Sequence, residues 1–486
     1  MKNRIPIILF CLLAFSSCKK NIVELNIQPP EIFPDYKEVA IPTNIAPLNF
    51  SLNQPFVGYV RMVGGGSTFD FKFNKGKITI PERRWRKLIK NSIGSEINVT
   101  VLEKRGNQLL AYSPFNIYVM DNKIDPYIVY RLIDPGYELW NEMGIYQRNL
   151  ENYKEKALLE NKMTDLNCVN CHSFADNNPD NMSIHMRAIH PGTYIMKDGE
   201  IEKFALSEDV GVANFVYPSW HPSGKYIAYS TNDTKQGFHI NDPDRIEVFD
   251  NSSDIVVYDI ENYEIITSPL LFSNSSFETF PSFSPDGSSL YFTSSPAVVM
   301  PDSFRMVHYD LLRIGFDPLT GKFGNNVDTI FKSNDTCSVS FPRVSPDGNY
   351  LLFTLSDYGN FSIWHNEADL KMIDLRTGEL LDTDQWNSEE TESYHSWSSN
   401  SHWVVFSSRR GSGLYTAPYF GYVDDNGKTY KPFLLPQKNV DYYKWIMKSY
   451  NVPEFIIYPS KLDSYKISKV AKSVNAVIVN KFRMVR

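Results

Sequence analysis

Four copies of one short pattern in the C-terminal half constrain the fold of this 486-residue chain more than any other feature. Each copy joins an aromatic residue and a short polar stretch to a run of aromatic and aliphatic residues. A repeat every ~50 to 60 residues predicts an array of similar supersecondary units. The copies are Tyr217-Pro-Ser-Trp-His-Pro-Ser-Gly224, Phe280-Pro-Ser-Phe-Ser-Pro-Asp-Gly287, Phe341-Pro-Arg-Val-Ser-Pro-Asp-Gly348 and Tyr394-His-Ser-Trp-Ser-Ser-Asn-Ser401.

The chemistry of each copy predicts a small antiparallel sheet. In Ser-Pro-Asp-Gly, proline presets φ and glycine accepts the closing geometry of a tight turn. The apolar run that follows has the composition of a buried strand. A unit of about four strands with two apolar faces cannot cover itself, so neighbouring units must stack radially. We therefore predict an all-β chain with a β-propeller of about six blades. A β-solenoid and a set of sandwiches are the alternatives.

These repeats resemble those of the TolB-like β-propeller family, whose repeat is a Pro-Ser-x-Ser-Pro-Asp-Gly turn followed by a strand. The resemblance covers Tyr217 to Pro436, and the fourth copy departs from it with Ser-Ser-Asn-Ser at the turn. It implies the fold. Because such propellers serve as enzyme domains, binding platforms and scaffolds, the resemblance implies no single function.

Residues 1–18 have the pattern of a bacterial lipoprotein signal peptide. Lys2 and Arg4 form a basic start, Ile5 to Phe15 is apolar, and two serines precede Cys18. Cleavage would leave Cys18 as the lipidated residue, and the apolar run is too short to span a bilayer. We expect residues 19–36 to be a tether and the protein to be lipid-anchored in the cell envelope, on the outer membrane facing the periplasm. An ordinary secretory signal is the alternative.

Residues 37–120 are expected to form an immunoglobulin-like β-sandwich, because short strand-like runs alternate there with turn signals. Residues 81–93 are expected to be helical. Residues 121–486 would form the propeller, with a short helical insert at 137–193. The expected strands are Asn49–Leu52, Val57–Val60, Thr68–Phe73, Lys77–Ile80, Glu96–Val101 and Phe115–Val119.

The pentapeptide Cys168-Val169-Asn170-Cys171-His172 has the spacing of c-type haem attachment. Its two thiols would add to the haem vinyl groups, and His172 would bind the iron. Apolar residues at helical spacing before it predict a helix that leads into the cysteine pair. The second iron ligand would come from the stretch that follows. The candidates there are Met182, His185 and Met186, with His190 as a further one.

The wider run, Cys-Val-Asn-Cys-His-Ser-Phe followed by Met-Ser-Ile-His-Met-Arg, resembles one found in exported TolB-like lipoproteins of Bacteroidota. Three alternatives to haem stay open. Cys168 and Cys171 could form a disulfide or a redox dithiol. They could bind zinc together with His172 and His185 or His190. They could also be structural thiols.

A second candidate site lies in the repeats themselves. Several polar residues fall on the loops or first strands of the repeats, which crowd one mouth of a propeller channel, where ligands commonly bind. Solvated loop charge is the alternative. A group of aspartates, Asp242, Asp244, Asp250 and Asp254, could hold calcium but lacks the spacing of an EF-type loop. The predicted channel residues are Glu278, Arg343, Glu392, Tyr394 and His395.

Charge and missing motifs narrow the function. A net charge of −7 without a basic block argues against a nucleic-acid partner. The sequence has no Gly-x-Ser-x-Gly, no His-Glu-x-x-His and no phosphate-binding glycine loop, so nothing in it supports a hydrolase. We expect a lipid-anchored protein with one covalent haem c, which transfers electrons or docks a redox partner through its propeller. The alternative is a non-enzymatic binding or scaffold lipoprotein that recognises a protein or a glycan. An enzyme acting on envelope glycans is a third hypothesis.

Overall fold

The computed structural model describes residues 22–24, 28–134, 141–207, 215–242, 244 and 246–485; for residues 22–24 and Cys171 it describes the backbone alone. The expected signal peptide, Cys18 and much of the tether lie outside these residues. Within the described ranges no helix is both long enough and apolar enough to cross a membrane.

The N-terminal region is built from ten strands and one helix. Helix α1 buries Trp85, Leu88 and Ile89, and the Trp85 ring donates its N–H to the Ile45 carbonyl at 3.0 Å. The elements are β1 (Ile22–Glu24), β2 (Ile32–Phe33), β3 (Val39–Ile41), β4 (Phe50–Leu52), β5 (Gly58–Gly64), β6 (Ser67–Phe73), β7 (Lys77–Ile78), α1 (Glu82–Asn91), β8 (Ser95–Arg105), β9 (Gln108–Ala111) and β10 (Phe115–Val119).

These strands form two sheets. The larger has the order β1-β9-β8-β10-β3, with β5 paired to β8 and β6 paired to β5, and the smaller has the order β2-β4-β7. Their buried side chains share one core with residues such as Trp403 and Tyr450 of the C-terminal region, so the two regions pack together. The predicted helix is present. An immunoglobulin-like topology stays a prediction.

The rest of the chain is a succession of short strands. The elements are β11 (Tyr127–Ile133), β12 (Gly144–Asn149), β13 (Glu155–Glu160), β14 (Cys168–Ala175), β15 (Asn178–Arg187), β16 (Gly192–Lys197), β17 (Glu200–Leu206), β18 (Phe215–Trp220), β19 (Tyr226–Phe238), β20 (Ile246–Asp259), β21 (Glu264–Thr267), β22 (Ser276–Phe283), β23 (Ser289–Pro296), β24 (Asp310–Asp317), β25 (Lys322–Phe331), β26 (Ser338–Val344), β27 (Tyr350–Ser356), β28 (Asp369–Asp374), β29 (Glu379–Leu381), β30 (Glu392–Trp397), β31 (Trp403–Ser408), β32 (Ala417–Val423), β33 (Thr429–Leu434), α2 (Tyr442–Trp445), β34 (Ser449–Ile456), α3 (Ser464–Lys472), β35 (Val477–Val479) and β36 (Lys481–Met484).

These strands form a six-bladed β-propeller, as predicted. From the axis outward, blade 1 is β34-β11-β12-β13 and blades 2 to 6 begin with β14, β18, β22, β26 and β30, each followed by the next three strands. The innermost strands of neighbouring blades contact one another all around the ring, from β34 through β14 to β30 and back to β34.

The ring is closed by the end of the chain. Strand β34, from the C-terminal region, pairs with β11 and completes blade 1. Beyond it, β35 pairs in parallel with β17 at the outer edge of blade 2, and β36 does the same with β21 of blade 3. The C-terminal residues therefore contribute one strand to each of three blades.

The predicted helical insert is wrong. The described residues from 144 to 193 are mainly the strands of blades 1 and 2, and the haem-like pentapeptide begins strand β14. The helical spacing combined residues of separate elements: Tyr146 is in β12, Met143 and Leu150 flank it, and Leu158 and Leu159 are in β13. In β12 itself, burial does not alternate along the strand. A strand buried on both faces loses the period of two that marks a half-exposed strand.

Candidate functional site

All six innermost strands carry the same backbone irregularity. In five of them a non-glycine residue with φ between 48° and 52° precedes a shift in strand register. These residues are Tyr217, Phe280, Phe341, Tyr394 and Val452. In β14 the register shifts between Asn170 and Ser173, which places Cys171 at the corresponding position. A β-bulge that occurs at the same position in every blade changes the direction of the side chains that follow it.

The haem-like motif is therefore also a propeller repeat. Cys171-His-Ser-Phe174 aligns with Tyr394-His-Ser-Trp397, so His172 corresponds to His395 and to the prolines of the other four blades. Sequence analysis missed this copy because no Ser-Pro-Asp-Gly turn follows it. The turn there is Asp176-Asn177, both with positive φ.

The two histidines occupy matching environments. His395 Nε2 lies 3.1 Å from the carbonyl oxygen of Leu352 in the preceding blade. Burial and Arg343 lower the pKa of His395 to about 3, against hydrogen bonds to the backbone of Leu352 and Phe341. For His172, burial and Arg131 lower the pKa to about 3, against hydrogen bonds to the matching residues, Val129 and Val452. Both rings are thus neutral and link a blade to its predecessor.

The next residue in each innermost strand forms a ring around the channel. Four of the six are serines, Ser173, Ser219, Ser282 and Ser396, and the others are Arg343 and Glu454; all line one cavity of about 350 Å³. Burial raises the pKa of Glu454 to about 7, although Arg343 and the N–H of Phe174 favour its charged form. Burial likewise lowers the pKa of Arg343, and Glu454 opposes that shift.

A second cavity of about 370 Å³ opens on the other side of this ring, at the mouth of the channel. Its position follows from residue size. The aromatic rings of Tyr217, Phe280, Phe341 and Tyr394 pack in sequence with centroids 4.1 to 4.8 Å apart. Blade 1 has Val452 at this position and blade 2 has a cysteine, so these two blades add no ring to the aromatic packing. The cavity extends to these two blades, where the packing stops. The volume is that of a small-molecule site, about 300 Å³ or more.

A long hairpin from blade 3 forms one wall of this mouth cavity. We call the described residues of its tip, 232–242, 244 and 246–250, the arm; Thr234, Gln236 and Val248 line the cavity. The arm is held by the loop after β27 in blade 5: the Tyr358 hydroxyl donates to Glu247 at 2.9 Å, and Asn360 donates to Asp250 at 2.6 Å.

His365 adds an ionic contact to this attachment. Its Nε2 lies 3.8 Å from Glu247 and its Nδ1 lies 3.3 Å from Glu367. Burial lowers the pKa of His365, but the nearby carboxylates of Glu247 and Glu367 outweigh burial and raise it to about 9. Asp244, His365 and Glu367 offer ligand atoms within 4.8 Å of one another. His365 already pairs with Glu367, Asp244 accepts the Asn366 N–H, and Asp250 accepts hydrogen bonds from Asn232 and Thr234. A calcium site at the four aspartates stays a hypothesis.

The mouth cavity is lined by polar groups that lack partners. Within the described residues, six buried side-chain atoms of its wall have no hydrogen bond. Buried polar groups in native proteins are nearly always satisfied, so such a cluster calls for an explanation. The atoms are Nε of Arg131, Arg187 and Arg409, Nε2 of His172, Nδ1 of His395 and Oδ1 of Asn451.

The structure brings only part of the predicted haem set together. Cys168 and His172 line the mouth cavity, whereas the predicted distal ligands do not. Met182 and Met186 are buried in the core between blades 1 and 2, with Leu158 and Ile467. They lie on one face of β15, and His185 lies on the other, where its Nδ1 is 3.0 Å from the Thr193 hydroxyl. His190 Nε2 lies 2.8 Å from Asp165.

These positions would supply an iron ligand on only one face of a haem. The Nε2 atom of His172 is without a hydrogen bond among the described residues and lines the cavity that Cys168 shares. Met182, His185 and Met186 do not face that atom across the cavity. A haem held here would take its protein ligand from His172, and its sixth ligand would not come from these three residues.

The predicted channel residues divide in the same way. Arg343, Tyr394 and His395 line the mouth cavity, and Glu278 and Glu392 do not. Glu392 is fully buried, accepts hydrogen bonds from Ser388 and Ser408 and lies 3.1 Å from Arg410. Glu278 accepts from Ser294 at 3.1 Å, and burial raises its pKa to about 7. The wall residues that sequence reasoning missed are Arg131, Arg187, Arg409, Trp364 and Glu454.

Comparisons with known proteins add no function. No protein-family profile matches the chain, and no curated protein sequence matches it. Among solved structures, a puromycin-hydrolysing peptidase of Mycobacterium tuberculosis is 12% identical, with 71% of this chain and 52% of that chain covered and a TM-score of 0.34. Prolyl oligopeptidase B of Galerina marginata is 11% identical, with 63% and 44% covered and a TM-score of 0.36.

The β-propeller domain of the trilobed protease of Pyrococcus furiosus is 11% identical, with 70% of this chain and 81% of that domain covered and a TM-score of 0.32. The chain thus spans about half the length of the two peptidases. Likenesses this weak carry no argument about activity. The propeller assignment rests on the order and ring contacts of the six sheets.

Proposed function

We propose that this chain is a non-enzymatic binding protein that takes up a small ligand at the mouth of its propeller channel. The observation that carries the proposal is a 370 Å³ cavity with six wall residues that each have a buried polar side-chain atom without a hydrogen bond. A bound ligand would supply the hydrogen bonds that the wall lacks, and a site of this volume with a few convergent polar groups is the usual form of a small-molecule site.

Most titratable groups of the wall suit binding better than proton transfer. The exception is Glu454, whose pKa burial raises to about 7 and which accepts the Phe174 N–H at 3.2 Å. His172 and His395 have pKa values near 3 and already bond to backbone carbonyls, so neither is a base at neutral pH. Asp134 lies 2.9 Å from Lys448. The guanidinium groups of Arg131, Arg187 and Arg409 donate hydrogen bonds and accept none.

The proposal includes the envelope location suggested by the first 18 residues. A Cys18→Ser variant should no longer incorporate labelled palmitate, whereas the unmodified chain should; equal labelling would contradict lipid anchoring. In that setting the propeller would hold its ligand, or a protein or glycan that carries it, close to the bilayer.

The binding site can be tested by filling it with a side chain that the fold already accepts. Phenylalanine occupies the position of Val452 in blades 4 and 5 at the same φ, so Val452→Phe should fold. A fragment library screened by ligand-observed NMR should give compounds that bind the unmodified protein and lose binding in Val452→Phe.

The matched control is Val474→Phe, because Val474 is 99% exposed and outside the cavity wall. It should bind every compound as the unmodified protein does. If no compound distinguishes Val452→Phe from Val474→Phe, the mouth cavity is not the binding site.

Covalent haem c is the second candidate function, because Cys168 and the unbonded Nε2 of His172 line the same cavity. Protein matured with a c-type haem assembly system should then show a Soret band and a haem mass that survives denaturation. His172→Ala should keep the haem but shift the iron spectrum, and His395→Ala, at the equivalent position, should leave the spectrum unchanged. Absence of both band and mass ends this candidate.

A further inference from the structure

The mouth cavity carries an excess of positive charge. Five of its wall residues are basic, Arg131, Arg187, Lys235, Arg343 and Arg409, and two are acidic, Asp134 and Glu454. Both acids already have partners: Asp134 faces Lys448 at 2.9 Å, and Glu454 accepts the Phe174 N–H at 3.2 Å opposite Arg343. Lys235 is exposed and lies 3.9 Å from Asp233, so the excess rests on Arg131, Arg187 and Arg409.

The three arginines come from consecutive blades around the ring. Arg131 is on β11 of blade 1, Arg187 ends β15 of blade 2, and Arg409 directly follows β31 of blade 6. Each has a buried Nε without a hydrogen bond, and none forms a salt bridge with a described carboxylate. The three arginines therefore lie on one side of the cavity, next to the strands of blades 1 and 2.

Arg409 is the most telling of the three. It is only 4% exposed, and its guanidinium carbon lies 3.5 Å from the centroid of the Trp364 ring. Burial lowers the pKa of Arg409 to about 9, against Tyr394, Glu390 and Asp244. A buried charge without a counterion is unfavourable, and an anionic ligand would supply the counterion that Arg409 lacks among the described residues.

The remaining wall indicates what the anion is attached to. Tyr217, Phe341, Phe361, Trp364 and Tyr394 line the same cavity. Aromatic faces pack well against flat or ring-shaped groups, and guanidinium groups bind planar oxyanions in a bidentate way.

We propose that the mouth cavity binds a small organic anion, a ring-shaped compound whose carboxylate or phosphate group is held by Arg131, Arg187 and Arg409. This inference rests on the proposed binding function and narrows the class of ligand. The ring of the ligand lies against the aromatic wall, and its anionic group lies on the side formed by blades 6, 1 and 2.

The test uses four probes that share one ring: benzoate, phenyl phosphate, benzyl alcohol and benzylamine. Titration calorimetry at low salt should show binding of one or both anions and little binding of the alcohol or the amine. Comparison of benzoate with phenyl phosphate separates a carboxylate site from a phosphate site. Arg409→Gln should weaken anion binding about tenfold or more, since a hydrogen bond to a charged group contributes about that factor.

Arg131→Gln is a second variant with the same expected loss, so that the test does not depend on the folding of Arg409→Gln. The control is Arg313→Gln, which removes the same charge from an exposed pair with Asp328 in blade 4 and should bind like the unmodified protein. Equal binding of benzyl alcohol and benzoate would overturn the anion inference and leave the binding function standing. Binding of the anions that survives in Val452→Phe, or no binding of any probe, would overturn the inference at this site; only the fragment screen then decides the binding function.

Discussion

At the scale of single residues, His172 shows how one side chain can satisfy two patterns. In the sequence it completes a haem-like pentapeptide. In the fold it occupies the position that His395 has in blade 6 and that proline has in the other four blades. A histidine there bonds to the preceding blade, at a position where proline contributes rigidity and no donor. The role in the propeller accounts for the histidine and for Ser173 and Phe174 after it. It leaves Cys168 unexplained, which is why the haem test above is informative.

The ionisation of Glu454 makes the stability of the propeller depend on pH. Its pKa is raised from 4.5 to about 7 in the folded state. The stabilisation from its protonated form is therefore complete below pH 4.5 and lost as the pH rises to about 7. Over that window the unmodified protein should lose on the order of 3 kcal/mol relative to Glu454→Gln, measured by urea unfolding at a series of pH values. A constant difference across the window would contradict this assignment.

At the scale of elements, the arm of β19 and β20 is the part of the cavity wall that depends on contacts between blades. It leaves blade 3 and is held by side chains of the blade 5 loop. Its hydrogen bonds involve buried carboxylates, Glu247 and Asp250, so their loss would leave charged groups without partners.

His365 should control how firmly the arm is held. Its pKa is raised from 6.5 to about 9, so its contribution is complete below pH 6.5 and is lost as the pH rises through 9. At pH 7, His365→Gln should speed hydrogen exchange in peptides from 226–242 and 246–259 relative to the unmodified protein. At pH 10, after correction for intrinsic rates, the two proteins should exchange alike. Equal exchange at both pH values would show that His365 does not hold the arm.

At the scale of the whole molecule, the C-terminal strand β34 makes the propeller one closed unit. It supplies the innermost strand of blade 1, whereas β35 and β36 only extend the outer edges of blades 2 and 3. Innermost strands carry the contacts between blades, so loss of β34 should affect the whole ring and loss of β35 and β36 should not.

Two truncations separate these contributions. A chain ending at Lys448 should lose cooperative thermal unfolding, because blade 1 keeps no innermost strand. A chain ending at Ser473 keeps β34 and α3, and it should unfold cooperatively at a lower midpoint. Calorimetry and near-ultraviolet circular dichroism measure both. A cooperative transition in the shorter chain would mean that the ring closes without β34.

The propeller could be predicted from the sequence where the blades repeat the same residue types. It was missed where the blades share only their backbone geometry. Ser-Pro-Asp-Gly turns indicated blades 4 and 5, the related His-Pro-Ser-Gly turn indicated blade 3, and an aromatic strand indicated blade 6. Blades 1 and 2 lack that turn, so Cys171-His-Ser-Phe174 and Val452-Pro-Glu-Phe455 read as unrelated segments. Both copies have the same bulge, but a bulge is a backbone property that composition does not reveal.

The candidate site was less predictable for a related reason. Arg131, Arg187 and Arg409 are spread over nearly 300 residues of sequence and meet only because the chain circles an axis and returns. Arg343 and His395 could be placed because they interrupt a visible repeat. No local pattern marks the other three, and their lack of partners becomes visible only in three dimensions.

Closure by β34 also sets a time order during biosynthesis. Asn451, Val452 and Glu454 follow the four-strand units of blades 2 to 6 in the chain, so they are made later, and they form part of the wall of the channel. A nascent chain that has already folded blades 2 to 6 still lacks this part of the cavity wall. The wall is complete only when β34 pairs with β11. Uptake of the proposed ligand would therefore distinguish molecules with a closed ring from truncated or half-assembled chains.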